Sequence, residues 1–320
     1  MPIVDAHFHL WDLDANYYPW LADGNRPTLV KGFEALRRNY VVADYLRDVG
    51  TLNVVAGVHI QAEHDSRDPV RETRWLERVA GEPASRGFPQ AIVAEADLAR
   101  DDVEATLAEH CRHANVRGIR FALHRRLDAA EPYDPLLDPA WVRNFPLLAK
   151  YGLSFDLQLF PRQAPAALDL IRGNPGVQFI LTHCAMPFAR DAAGVLQWRH
   201  AIADYARFPN VAIKISGFGG YDPAWSAASI EPIVSAVIEA FGPQRCMLAS
   251  NFPVEGLVKR YADIWATYLA CFASYTAAER DMLFWRNAAT VYRLPVAASS
   301  AQAGRSGSGG DTHPTHYPRR

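Results

Sequence analysis

Residues 154–184 read SFDLQLFPRQAPAALDLIRGNPGVQFILTHC. Ser154–Phe160 alternates, with Phe155, Leu157 and Leu159 on one parity and Ser154, Asp156 and Gln158 on the other, the period of a β-strand. Pro165–Arg172 then reads as a helix, and Gln178–Cys184 is a second short apolar run bounded by polar and glycine-rich turns. Strand, helix and strand in about thirty residues is the basic repeat of an α/β protein.

The repeat extends in both directions. Candidate strands are Ile3–Leu10, Asn53–Ala62, Gln90–Ala96, Val116–Leu123, Ser154–Phe160, Gln178–Cys184, Asn210–Ser216 and Arg245–Asn251. Helical stretches are Val70–Val79, Asp102–His113, Pro139–Tyr151, Pro165–Arg172, Gly194–Phe208 and Ile230–Phe241. Eight strands in this order close most naturally into a (β/α)8 TIM barrel. A doubly wound open sheet would announce itself with a Gly-rich first βα turn, which is missing. Lys259–Ala273 and Ala277–Tyr292 read as closing C-terminal helices, so one barrel is expected over residues 1–296. Residues 297–320, AASSAQAGRSGSGGDTHPTHYPRR, are small and polar and read as a flexible low-complexity tail in which His313 and His316 are solvated.

With 49% hydrophobic and 21% charged residues the chain can bury a large core, and a net charge of −2 gives no bias toward nucleic acid or an anionic membrane. Cys111, Cys184, Cys246 and Cys271 form no CxxC pair and suggest reduced thiols in a cytoplasmic protein. Neither a basic-then-apolar leader nor an uncharged apolar stretch approaching about 18 residues is seen, so neither export nor a membrane span is expected. A small molecule is the expected partner. A homo-oligomer is compatible with the chain, but no helix face is distinctive enough to define one.

Inner-parity residues point to chemistry. Besides Asp156 and Gln158, parity places His59, Gln61 and Glu63 of the second strand, Arg120 and His124 of the fourth, and Lys214 and Ser216 of the seventh inside. Val58, Ile60 and Ala62 are then expected outside. A barrel filled for stability alone would carry branched aliphatics there, because unpaired buried charge costs several kcal/mol; structural ion pairs account for one or two such residues. His7 and His9 lie two apart at the end of the first strand and project together toward the mouth. His183, at the end of the sixth, adds a third imidazole, and three histidines plus water make a workable zinc site. Trp11, Tyr17, Tyr18 and Trp20 in the loop Trp11–Pro27 form either an aromatic pocket wall or a flap packed on the barrel top.

The ordered motifs DAHFHLWD (5–12), IQAE (60–63), GIRFAL (118–123), LTHCAMP (181–187), IKISGFG (213–219) and ASNFPVE (249–255) resemble the amidohydrolase superfamily. The likeness runs over Pro2–Leu294 and is greatest to the branch of sugar-acid lactonases and 2-pyrone-4,6-dicarboxylate lactonase. It implies a catalytic set of the first-strand HxH, a histidine of the fifth or sixth strand, and an aspartate of the eighth. His7, His9 and His183 match. At the fourth position, where the family commonly reads SDWPV or SDFPV, this chain has Asn251, which lacks useful basicity and can only hydrogen-bond or offer a weak carbonyl ligand. Glu63 and Asp156 are the substitute bases, and His183 a third if no metal is bound. Lys214, on strand seven and not strand four, does not match the carbamylated lysine of binuclear relatives. Arginines after the fourth strand grip substrate carboxylates in the dicarboxylate branch, which directs attention to Arg120 and Arg126, with Gln61 and Trp11 beside the substrate; Arg125 and Arg126 as solvated loop charges are the plainer reading.

These residues describe a hydrolase of a small lactone or cyclic ester, often acidic, acting with one divalent metal, zinc or manganese, held by His7, His9 and His183, or without metal. The rivals are a lyase that decarboxylates an acidic aromatic or enol substrate, and a ligand-binding barrel that lost its base with Asn251.

Overall fold

Eight parallel strands pair in sequence order: β1 (Ile3–Phe8), β2 (Val54–Ile60), β3 (Ala91–Ala94), β4 (Val116–Ala122), β5 (Ser154–Gln158), β6 (Phe179–Leu181), β7 (Val211–Ile215) and β8 (Cys246–Leu248). The structure is a computed structural model that describes residues 1–23, 32–124, 127 and 132–295. The expected tail and Arg125 and Arg126 lie outside the described residues. Each expected strand is present, shorter by a few residues, and the sheet is a (β/α)8 TIM barrel. The Pro139–Tyr151 helix is broken into Pro139–Asn144 and Leu147–Lys150 around Pro146, which has no N–H to give. The closing stretch 277–291 is helical with a π turn at Met282–Arg286. The helices Pro19–Ala22 and Val42–Val49 were not anticipated; the second carries Tyr45 into the core.

The barrel closes between β8 and β1. Phe8 bridges to Phe252, the His9 N–H donates to the Phe252 carbonyl (2.7 Å), and the Asn251 N–H donates to the His7 carbonyl (2.8 Å). Asp5, fully buried, staples this seam. It accepts from the Ser250 N–H (2.9 Å), the Ser250 hydroxyl (2.6 Å), and the Tyr45 and Tyr261 hydroxyls (3.1 and 3.0 Å). Burial raises the Asp5 carboxyl above its ordinary range, while the Ser250 bonds pull it back down.

On the side of β1, β2 and β3 the interior below the mouth is apolar: Val4 and Ala6 pack with Ala56, Val58, Ile60 and Val93, in one cluster with Trp285, Tyr292 and Leu294. This corrects the expected parity of β2. Val58 and Ile60 line the interior, and His59 points outward, edge-on to Phe8 with Nε2 on the Leu10 carbonyl (3.2 Å). A parallel strand is buried on both faces, so alternation of apolar residues does not say which face is inner. Strands β4, β5 and β7 follow the expected parity, with Arg120, Asp156 and Lys214 buried and facing one another across the barrel.

Asp5→Ala removes the shared acceptor of five buried donors, the His7 and Ser250 N–H groups and the Ser250, Tyr45 and Tyr261 hydroxyls, and should cost at least ~3 kcal/mol of unfolding free energy in a urea titration; a loss below ~1 kcal/mol would show the seam is held elsewhere. His110 is buried between the Thr73 hydroxyl and the Glu95 carbonyl (both 3.0 Å), and burial lowers its pKa to about 4. Its contribution is full above the unfolded value of ~6.5 and is lost as pH falls toward the folded value, at up to ~1.4 kcal/mol per pH unit. His110→Gln should therefore flatten the fall in stability between pH 6.5 and 4, measured by denaturation at fixed pH values.

Candidate active site

The first-strand histidines reach the mouth through a defect in β1. Asp5 is opposite Gly57 and Phe8 opposite His59, so three steps of β1 match two of β2, and the extra residue falls at Ala6–His7. Such a bulge reverses the alternation. Ala6 lies inside and so does His7, Phe8 turns out onto Tyr45 (ring centroids 4.1 Å apart), and His9 follows His7. Without it, a strand with Val4 and Ala6 inward would send both histidines among the helices.

His7 Nε2 and His9 Nε2 lie 3.2 Å apart. His9 Nδ1 faces the Ile60 carbonyl at 2.7 Å, an acceptor only, so it carries the proton and Nε2 is bare. The gap is bridged by one proton from His7 Nε2, or by one cation. Two nitrogens ~2.0–2.1 Å from a tetrahedral ion lie roughly 3.3 Å apart, which fits this pair. Buried His7 Nδ1 has no hydrogen-bond partner. Among the described residues no group of three or more His, Cys, Asp or Glu side chains stands ready as a metal site; His183 lies against His7, ring centroids 4.7 Å apart, without completing one.

All three imidazoles are held neutral. Burial is the main cause for each; Lys214 and His183 add to it for His7, Arg120 and His59 for His9, and Arg120 and Lys214 for His183, whose pKa falls to about 3. His183 sits on a turn in which His183, Cys184, Ala185 and Met186 all have positive φ, between 50° and 58°. Left-handed backbone costs non-glycine residues about 1 kcal/mol or more each. The turn is held by the Trp198 indole N–H on the Cys184 carbonyl (2.7 Å), and His183 Nδ1 is paired with the Ser216 hydroxyl (2.9 Å). Gly217 gives the ring its room: a Cβ there would be 2.5 Å from His183 Nδ1.

Arg120 is buried beside the histidines, donating to Gln158 Oε1 (2.9 Å) and to the Gln61 carbonyl. Gln61 is buried just past β2, and its Oε1 accepts the Glu63 N–H (2.5 Å). Half-buried Glu63 follows in left-handed conformation at the mouth. Its carboxylate is close enough to Glu72 to help raise that residue's pKa, which burial chiefly pushes to about 8. Asp156 is fully buried beneath the mouth; Lys214 Nζ is 2.5 Å from its Oδ2, and the Tyr292 hydroxyl 3.0 and 3.1 Å from its two oxygens. The structure thus joins Asp156 to a buried ion pair, not to the histidines. Trp11 is buried as part of a packed flap, its ring edge-on to Trp20 and its N–H on the Arg38 carbonyl (2.7 Å). Arg126 lies outside the described residues.

Asn251, three residues past β8, is in left-handed conformation (φ 55°). Its carbonyl accepts the N–H (3.0 Å) of a residue that sequence reasoning passed over, Glu255, although the motif ASNFPVE contains it. Glu255 is buried, its Oε1 accepts the Gly219 N–H (2.7 Å), and burial raises its carboxyl to about 7 against the Gly219, Trp225 and Asn251 groups that favour the charged form. A lone acid in the apolar run Phe252–Leu257 was the available signal. Glu72, Ser216 and Gly217 were likewise not assigned as site residues, since no spacing singles them out.

A bulged HxH strand, a sixth-strand histidine and a buried arginine at the C-terminal mouth of a (β/α)8 barrel define a hydrolase class. The chain belongs to the amidohydrolase family, whose model matches residues 4–294. It is 42% identical over 297 residues to the uncharacterized protein y4mH of Sinorhizobium fredii, spanning 91% of this chain and 98% of that protein. It is 28% identical over 303 residues to an L-fucono-1,5-lactonase of Burkholderia ambifaria, spanning 91% and 95%. A crystal structure of an amidohydrolase from Burkholderia multivorans with bound zinc superposes with a TM-score of 0.77 at 26% identity, over 92% of this chain and 100% of that one.

Gly217→Ala should displace His183 and lower kcat/KM at least tenfold, read alongside a thermal melt; unchanged activity would place His183 outside the chemistry.

Proposed function

We propose that the protein hydrolyses a small lactone of the sugar-acid type. The observation that carries the reading is the pair of neutral first-strand imidazoles whose Nε2 atoms converge at 3.2 Å in a buried mouth. The likeness to L-fucono-1,5-lactonases over nine-tenths of the chain supports it. Water adds to the ring carbonyl carbon, the ring C–O bond breaks, and the alkoxide takes a proton to leave an open hydroxy acid. Arg120, buried beside the imidazoles, carries the charge that stabilises the developing oxyanion, in a site dry enough for such a contact to count. Of the two candidate carboxylate bases, Asp156 has both oxygens engaged below the mouth. The proton of the attacking water therefore falls to Glu63, which keeps access to solvent.

One divalent metal, zinc or manganese, fits the pair; His7 and His9 would hold it, with His183 the nearest imidazole for a third position. When bound it supplies Lewis acidity to the carbonyl and a lowered pKa to water.

The test is a panel of aldono-1,4- and aldono-1,5-lactones followed with a pH indicator, with and without added zinc or manganese. Wild type should turn over at least one member, and His7→Ala and His9→Ala should each lose at least ~100-fold in kcat/KM. Glu63→Gln should lose at least tenfold in kcat. No lactone turnover in any condition sinks the reading; carbon dioxide release from acidic aromatic substrates would favour the lyase, and tight binding without turnover the binding barrel.

A further inference from the structure

A buried arginine orients an amide at the mouth. Arg120 and Gln158 stand on adjacent strands, with Arg120 in register with Asp156 and Ala122 with Gln158. Arg120 and Asp156 face the interior, so alternation sets Gln158, two residues after Asp156, on the inner face as well. Its Oε1 accepts from an Arg120 terminal nitrogen at 2.9 Å, which agrees with that face and fixes the amide. An arginine only donates, so the carbonyl half of the amide is the half it meets, and Nε2 is left over. Gln61, across Arg120 on the β2 side, repeats the pattern. Its Oε1 is taken by the Glu63 N–H (2.5 Å), while its backbone carbonyl accepts the other Arg120 terminal nitrogen. The residue before it, Ile60, holds His9 Nδ1 on its carbonyl (2.7 Å), so the arc of Gln158, Arg120 and Gln61 ends at the histidines. No described residue accepts a hydrogen bond from either Nε2, and neither atom is sealed from solvent. Gln158 is the last residue of β5 and half-buried, so the solvent that reaches it is that of the mouth. A carboxylate at 158 would hold Arg120 more firmly; what the amide adds is a donor.

We propose that Gln158 is a substrate-binding residue: with Oε1 held by Arg120, it presents Nε2 to the mouth and donates to a hydroxyl oxygen of the lactone ring, with Gln61 Nε2 as a second donor on the other side of Arg120. The assignment rests on the lactone-hydrolase reading and deepens it, by giving the recognition of the ring hydroxyls to a particular residue. A site built to hydrogen-bond a hydroxyl rejects an analogue without it far more strongly than an apolar pocket does, because its polar groups then lose their partner.

Wild type and Gln158→Met are compared on an aldono-1,5-lactone and on δ-valerolactone, the same ring without hydroxyls. Methionine keeps the bulk and removes both the bond to Arg120 and the donor. Loss of the Arg120 bond acts on both lactones alike, so the ratio of their kcat/KM values is read, not either rate. Wild type should prefer the hydroxylated ring, and the variant should lose at least about tenfold of that preference, chiefly through the KM of the aldonolactone. A second measurement needs neither turnover nor a folded methionine variant: the Gln158 side-chain 15NH2 signals of wild type, assigned through Gln158→Glu, which keeps an acceptor for Arg120. They should shift on adding open-chain aldonates and stay in place with 5-hydroxypentanoate. That shift supports the donor even if wild type turns over no lactone, which separates failure of this inference from failure of the functional reading. Both lactones falling together in Gln158→Met, or Gln158 amide signals that no aldonate moves, overturns it.

Discussion

The seam between β8 and β1 is the constraint on which the site depends. Asp5 is the buried acceptor for both Ser250 donors and two tyrosine hydroxyls, and so supplies the side-chain anchor of this seam beside its backbone hydrogen bonds. The residues that follow on either side of the seam, His7 and Asn251, are joined by a backbone hydrogen bond. The same latch that closes the barrel thus sets first-strand histidine and eighth-strand amide side by side. The bulge at Ala6–His7 completes the arrangement by turning the two histidines from the helix layer to the mouth.

Electrostatics then gives those histidines their character. Lys214 and Arg120 are buried in the barrel with one carboxylate, Asp156, paired to Lys214. The excess positive charge, together with burial, disfavours imidazolium at every position of the set. Neutral rings with bare nitrogens can bind a cation or accept a proton-bearing group; protonated rings can do neither. Asp156, with both oxygens engaged by Lys214 and Tyr292, belongs to this charge balance under the mouth.

Much of this was legible in the residues. The eight strands could be placed because each is a short apolar run between turns and helices, and β5 and β7 showed their inner face because Asp156 and Lys214 mark it. In β2 the marks misled: His59 is polar yet faces outward, and both parities of the strand are buried. The bulge in β1 is invisible in a hydrophobic pattern, since it is defined by register against β2. The left-handed turn at His183–Met186 is equally hidden, with neither glycine nor asparagine to signal it. Asn251 stood out as a departure from the family pattern, but Glu255 was passed over because its burial depends on the Gly219 turn that it meets in space.

The most direct test is the protonation state of the three histidines, read by 15N-detected NMR of the imidazole rings across a pH titration. The account predicts that His7, His9 and His183 are neutral at pH 7 and titrate well below the ordinary value of ~6.5, with His9 protonated at Nδ1 and bare at Nε2. A ring of the set that titrates near pH 6.5, or His9 carrying its proton on Nε2, would contradict it.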